Sequence, residues 1–327
     1  MSTIPEGDPK TDADDASLHE QWRAAKVEFG VHVSHARGQL DQANERIKAR
    51  TGRDLLVAII IGLAIGALLL ASLLFVKWAF VFIALAGSLL AIFELSRALR
   101  AGGRRVDVAP QLIAGALTVA AGYFADLWLC WAMLFVGIVF VVIWRLLGQM
   151  AARDGRTYGD VLKDVSVGSF VQIYVPFLAA LTLILLRQDG GEWWVLSFIG
   201  VVVAADTGAY ASGLLFGKHP MAPRVSPKKT WEGFAGAVFA SLLVGVLLAV
   251  FLLNLPWWAG LIFGAGLVAS ATLGDLAESM LKRDLGIKDM SSWLPGHGGF
   301  LDRLDSILPS AVVALALFFV LSPLAVS

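Results

Sequence analysis

Residues 55–75 read LLVAIIIGLAIGALLLASLLF, a run of 21 residues with no charge and no proline. A helix rises about 1.5 Å per residue, so about 20 apolar residues cross a hydrocarbon core about 30 Å thick. Working outward from this run, eight more apolar segments follow, at residues 79–95, 108–124, 127–147, 161–186, 193–216, 234–253, 257–281 and 307–324. The segments 79–95 and 108–124 are short, which fits a central packed position or a thinned bilayer. Trp78, Trp128, Trp131, Trp193, Trp194, Trp257 and Trp258 fall near segment ends, as interfacial aromatics do. The chain of 327 residues is 57% hydrophobic and 16% charged, with a mean hydropathy of +0.74. That balance excludes an ordinary soluble domain. The expected fold is all-α, a polytopic membrane protein with about nine transmembrane helices.

The basic residues give the orientation. Net charge is zero, but with a cytoplasmic N-terminus 24 of the 26 Lys and Arg residues fall on the cytoplasmic side, and only Lys77 and Arg187 do not. The positive-inside rule then holds at every loop, and adding or removing one span would break the alternation. Nine spans place the C-terminus outside.

Two parts divide the chain. Residues 1–53 form a polar cytoplasmic tail, acidic and proline-containing up to about residue 16 and expected to be disordered there. From there to Arg53, Trp22, Val27, Phe29, Val31, Val33, Leu40 and Ile47 alternate with charges. An amphipathic helix lying on the membrane or on the protein fits this, and so does a solvated helical tail. The tail has no short apolar core with a small-residue cleavage site, so a cleaved signal peptide is not expected. Residues 54–327 form the transmembrane domain, with its chemistry concentrated in residues 200–306. The single cysteine, Cys130, excludes a disulfide framework and a cysteine metal site. No internal repeat is evident.

Polar residues that have no place in lipid mark the candidate site. Glu94, near the end of the second segment, is an intramembrane acid that either serves function or reaches the interface beside Arg97. Asp206 lies deep in segment 193–216, with Gly208, Gly213 and Gly217 after it; it lines a wet cavity or is satisfied by a hydroxyl across a close helix contact. The loop 224–232, RVSPKKTWE, is stiffened by Pro223 and Pro227 and clusters Ser226, Lys228, Lys229 and Thr230. Ammonium and hydroxyl donors suit phosphate oxygens, although any cytoplasmic loop carries some basic residues.

The densest cluster runs from Gly274 to Asp305. Asp275, Ser279 and Lys282 share one helical face with Glu278 beside it, and Asp302 and Asp305 stand one turn apart before the last segment. Gly296, Gly298 and Gly299 surround His297 and suit a tight turn beside a ligand. His297 is a candidate general base or a hydrogen-bonding group. Carboxylates spread over two helices suit Mg²⁺, which takes one or two carboxylates plus phosphate and water; nothing has the spacing of a zinc site.

The run SMLKR at 279–283, KD at 288–289 and SSWLPGHGGFLDRLD at 291–305 resembles the signature of the phosphatidate cytidylyltransferases, the CDP-diacylglycerol synthases, without departure across its 27 residues. DTGAY at 206–210, FGK at 216–218, SPKKTWEG at 226–233 and GDLAES at 274–279 are similar to the same family. The likeness is specific from Asp206 to Ser306. The other spans share only general character, and the tail has no counterpart.

The resemblance implies transfer of a cytidylyl group from CTP to phosphatidic acid, with Mg²⁺ as cofactor and a second cation left open. The residues suit that reaction on physical grounds, and Asp275 and Asp302 are expected to hold the catalytic metal. Ser226, Lys228, Lys229 and Thr230 would bind the CTP phosphates. Lys282, Arg283, Lys288 and Arg303 would neutralise the lipid phosphate and the leaving group, with Lys288 and Arg303 acting in catalysis. Asp289 and Asp305 would orient those cations, and Asp206 and His297 would line the substrate site. The expected setting is a bacterial cytoplasmic membrane with the site facing the cytoplasm. The expected partners are CTP, phosphatidic acid and membrane lipid, with no nucleic acid; a homodimer is compatible with the sequence. Two rivals stay open: a cytidylyltransferase for an ether-lipid or polyprenyl phosphate, and an ion-coupled transporter using Asp206, Asp275 and Glu278, against which the one-sided charge and missing repeat argue.

Overall fold

The computed structural model describes residues 55–152, 155–287, 290–291 and 299–325, and the side chains among these except at 55–61 and 63. The expectations for the tail 1–53 and for Lys288, Asp289 and His297 lie outside the described residues. Two units divide at Gly62, and the candidate site belongs to the second, Leu63–Ser327.

Helices α1 (Leu55–Phe75), α2 (Lys77–Ala101), α3 (Val108–Phe124) and α4 (Leu127–Ala151) come first. Then follow α5 (Tyr158–Gln172), a π-helical turn (Ile173–Phe177), α6 (Leu178–Arg187) and α7 (Gly191–Phe216). A hairpin of β1 (Pro220–Ala222) and β2 (Ser226–Thr230) leads to α8 (Trp231–Phe251) and α9 (Trp257–Asp284). A 3₁₀ turn (Leu301–Arg303), α10 (Ile307–Leu321) and a last 3₁₀ turn (Ser322–Leu324) close the chain. Among the described residues seven helices are long and apolar enough to cross a membrane, the α5–α6 composite counting as one; Ala64–Phe75 and Val108–Phe124 are shorter apolar helices. The second segment is not short: α2 has 25 residues, because Lys77 and the stretch through Arg100 continue the helix past the purely apolar window. Long basic side chains extend a span in this way by reaching for water.

The expectation of an all-α chain is corrected at one place. β1 and β2 pair antiparallel, Pro220 opposite Thr230 and Ala222 opposite Ser226. The strands are too short to show alternation in the sequence. Pro227 is tolerated because a two-stranded ribbon has only edges.

Pro176 sits inside a buried span. It has no N–H for the helical ladder, and the local solution is the π turn Ile173–Phe177, after which α6 resumes. Every residue of α6 from Ala179 to Leu186 is buried; the helix packs against α3, α7 and α10. Trp194 of α7 meets Phe263 of α9 and Phe318 of α10 edge-on, at 5.8 and 5.2 Å between ring centroids.

Polar contacts replace the hydrophobic effect as glue where helices meet inside lipid. Gln172 Nε2 donates to Gln111 Oε1 at 2.5 Å and Gln111 Nε2 donates to the Gly168 carbonyl at 3.1 Å, tying α3 to α5. Asp164 of α5, wholly buried, accepts from Arg145 of α4 at 2.8 Å, from Arg156 at 2.6 Å and from the Arg105 backbone at 2.9 Å. The α7–α8 pair approaches through Gly208 and Gly236. A Cβ at Gly208 would lie 2.6 Å from the Gly236 carbonyl oxygen, so close packing accounts for that glycine.

Candidate active site

The site gathers on α9. Its C-terminal turns carry Asp275, Glu278, Ser279 and Lys282 along one face, as their spacing predicts. Lys282 is the hub. Its Nζ donates to Asp302 Oδ1 at 2.8 Å and to Glu278 Oε2 at 3.4 Å, and its side chain is 13% exposed. An ammonium held between two carboxylates offsets part of the cost of burying all three.

Asp302 is fixed from both sides. Its Oδ2 accepts from the Gly299 backbone at 2.8 Å and from the Met290 backbone at 3.2 Å. Asp275 accepts from Ser279 at 3.4 Å and forms an ion pair with Lys229 of β2. That pair ties the hairpin to α9. Asp305 caps its own turn, accepting from the Ser306 backbone at 2.7 Å. Its carboxyl also meets that of Glu278, and burial raises the Asp305 carboxyl above the usual carboxylate range. Two touching carboxyls need a shared proton or a cation between them. Ser306 Oγ reaches Asp206 Oδ1 at 3.5 Å. Asp206 is exposed on α7, but it lies within electrostatic reach of Asp305, Asp275 and Lys229, so it faces this array.

The loop before α10 is held by a residue far away in sequence. Glu94 of α2 is 2% exposed. It accepts from the Phe300 backbone at 3.0 Å, from the Leu301 backbone at 2.7 Å and from the Ser291 hydroxyl. Of the two readings of Glu94, the interfacial one is set aside by this burial and these three donors. Gly299 stands between the two acids: a Cβ there would fall 2.9 Å from both Asp302 Oδ2 and Glu94 Oε1. Real Cβ atoms do not approach that closely, so a side chain here would push one of the two carboxylates out of place.

The hairpin has its own clamp. Glu232 Oε2 accepts from the Lys218 and His219 backbones at 3.1 and 3.2 Å, and Oε1 meets His219 Nδ1 at 2.5 Å. Thr230 caps α8, its hydroxyl oxygen accepting from the Gly233 backbone at 3.1 Å. Strand alternation separates the two lysines. Lys229 turns toward Asp275, whereas Lys228 is exposed. Ser226 lies at the strand start opposite Ala222.

Of the other residues singled out in the sequence, Arg303 is exposed on the 3₁₀ turn. Arg283 is also exposed and donates to the carbonyls of Val225 and Ile287, at 3.2 and 3.4 Å. It therefore links α9 to the hairpin turn rather than to the carboxylates. The structure also reveals Tyr174, in the π turn, within electrostatic reach of Glu278, Asp305, Asp275 and Asp302. The one signal for it in the sequence was Pro176 inside a span.

Five carboxylates (Asp206, Asp275, Glu278, Asp302 and Asp305) thus face two ammonium groups, Lys229 and Lys282. Glu278 Oε1 is buried without a hydrogen-bond donor among the described residues. An all-oxygen set with surplus negative charge fits a hard divalent cation. Among the described residues no three such side chains converge tightly enough to cage a metal alone, which leaves coordination positions to phosphate oxygens and water. Chemically, the array can hold anions against fixed cations at the edge of a lipid phase.

The chain matches the model of the cytidylyltransferase family over residues 56–321. It is similar to the phosphatidate cytidylyltransferase of Mycobacterium bovis, 43% identical over 279 residues that cover 81% of this chain and 89% of that protein. The phosphatidate cytidylyltransferase of Mycobacterium leprae is 41% identical over 281 residues, covering 81% and 88%. That of Haemophilus influenzae is 39% identical over 155 residues, 44% of this chain and 54% of that protein.

Proposed function

The chain belongs to the cytidylyltransferase family, and on that footing we propose that the array around Asp275, Lys282 and Asp302 is where it works. It is a multi-pass membrane enzyme that transfers the cytidylyl group of CTP to phosphatidate, giving CDP-diacylglycerol and pyrophosphate. A phosphate oxygen of phosphatidate attacks the α-phosphorus of CTP. The new P–O bond forms as the bond to the β-phosphate breaks, and its electron pair leaves with pyrophosphate. The lipid phosphate is already anionic near neutral pH, so the nucleophile needs little help from a base. The barrier lies in bringing two anions together and in charge gathering on the leaving group, and fixed cations lower both.

The observation that carries this reading is the pairing of each central lysine with a carboxylate, Lys229 with Asp275 and Lys282 with Asp302. Each ammonium is held in place before a phosphate arrives, which is the preorganisation that electrostatic catalysis requires. Lys229, with Lys228 and Ser226 on the same hairpin, would receive the CTP phosphates; Thr230 and Glu232 would hold that hairpin in position. Lys282 and Arg303 would face the lipid phosphate and the departing pyrophosphate. Asp275 and Asp302 would hold Mg²⁺. A bound Mg²⁺ supplies Lewis-acid polarisation of phosphoryl oxygens.

The finer topology belongs to the same proposal: nine spans, N-terminus in the cytoplasm and the site on the cytoplasmic face. The placement of 24 of 26 basic residues supports it. So do the two exceptions, each partnered by a carboxylate: Lys77 with Glu192 at 2.8 Å and Arg187 with Asp126 at 3.2 Å.

The test is incorporation of labelled CTP into chloroform-extractable lipid by Asp275→Asn and Asp302→Asn. Each variant should lose at least about a hundredfold in turnover, the scale of removing several kcal/mol of transition-state stabilisation. A folded variant that kept most of its turnover at saturating Mg²⁺ would remove that residue from the metal set.

A further inference from the structure

Tyr174 is 8% exposed, and its hydroxyl has no hydrogen-bond partner among the described residues. A buried tyrosine usually satisfies its O–H. This one lies within electrostatic reach of four carboxylates, Glu278, Asp305, Asp275 and Asp302, and bonds none of them. Its ring is pinned by Phe170, one turn earlier, stacked at 5.2 Å and 12° between planes. Its backbone lies in the π turn that Pro176 forces, and such turns re-aim side chains that an α-helix would direct elsewhere. The fold therefore holds a rigid donor within reach of the array, with no partner for it among the described residues.

We propose that Tyr174 is a substrate-contacting residue whose hydroxyl donates a hydrogen bond to a phosphoryl oxygen of the lipid phosphate. The inference rests on the active-site reading above and adds a residue to it. The position selects the lipid over the nucleotide. Tyr174 lies in the middle of the membrane-spanning composite Tyr158–Arg187, next to buried α6, whereas the cations suited to a nucleotide are on the hairpin. A phenol also suits the surroundings. A lysine here would pair with the carboxylates, and a carboxylate would add to their repulsion; a neutral O–H can approach an anionic oxygen at no cost in charge.

The experiment compares Tyr174→Phe with the wild-type full chain in mixed micelles, varying phosphatidate mole fraction and CTP separately. The variant should lose about ten- to a hundredfold in kcat/KM for phosphatidate, the scale of one hydrogen bond to a charged group, with KM for CTP within twofold. Its melting temperature in detergent should hold or rise, because the hydroxyl has no hydrogen bond to lose among the described residues. Unchanged kinetics toward phosphatidate, or an equal loss toward both substrates, would overturn the proposal. If Asp275→Asn and Asp302→Asn are inactive while Tyr174→Phe behaves as wild type, only the tyrosine contact is wrong. If those two remain active, the active-site reading itself fails.

Discussion

Glu94→Gln changes one oxygen to an amide in a residue that lies far in sequence from the site loop. In the wild type, Oε1 accepts from Ser291 and Phe300, and Oε2 accepts from Leu301. The better orientation of a glutamine keeps its oxygen at the Oε1 position. Its NH₂ then meets the Leu301 N–H, donor against donor, in a buried place. A hydrogen bond to a charged group is worth about 1.5–3 kcal/mol, and an unsatisfied buried donor costs about 1–3 kcal/mol. These describe one event from two sides, so the net penalty is about 2–3 kcal/mol. It falls on the placement of Phe300 and Leu301, the residues directly before Asp302. At about 1.4 kcal/mol per factor of ten, kcat should fall about 30- to 150-fold. The hairpin is untouched, so KM for CTP should change little. Labelled-CTP turnover at saturating substrates reads the effect, with a melting curve in detergent to confirm folding. A folded Glu94→Gln protein with kcat within threefold of wild type would refute the argument that this carboxylate positions Asp302.

Lys229→Ala should lower kcat about tenfold or more, because it breaks the link to Asp275 as well as removing a cation, whereas Lys228→Ala, on the outward face of the strand, should act mainly by raising KM for CTP a fewfold; equal effects on both parameters in both variants would mean the hairpin does not distinguish its two lysines. Cysteines introduced singly at Gly102 and Met221 should react with an impermeant reagent only from the cytoplasmic side, and one at Gly190 only from outside, against the low background of the buried native Cys130. Labelling of Gly102 and Gly190 from one side would sink the nine-span topology.

The spans were legible because lipid imposes a strict rule on sequence. The bounds of α1 and α3 match the apolar runs residue for residue, since the apolar run stops where water begins. The polar array was legible for the same reason: Asp206, Asp275 and Lys282 stand out in an apolar background. What could not be read were relations across the chain. Nothing around Glu94 says that its partners are backbone groups of Phe300 and Leu301. A tyrosine in a membrane span looks like any other aromatic residue, and only the fold brings it within electrostatic reach of acids from two distant elements. The hairpin escaped because three- and five-residue strands carry too few side chains to show a period of two. Arg283 was grouped with Lys282 by adjacency, but neighbours on a helix point about 100° apart and reach different partners.

The reach of Glu94 to Leu301, 207 residues along the chain, also constrains how the protein is made. A ribosome adds about 5–20 residues per second, so for about 10–40 s the acid of α2 is already in the membrane while its backbone partners do not yet exist. During that interval the carboxylate lacks the backbone donors that later satisfy it. The loop before α10 can take hold of that carboxylate only once Phe300 and Leu301 have been made.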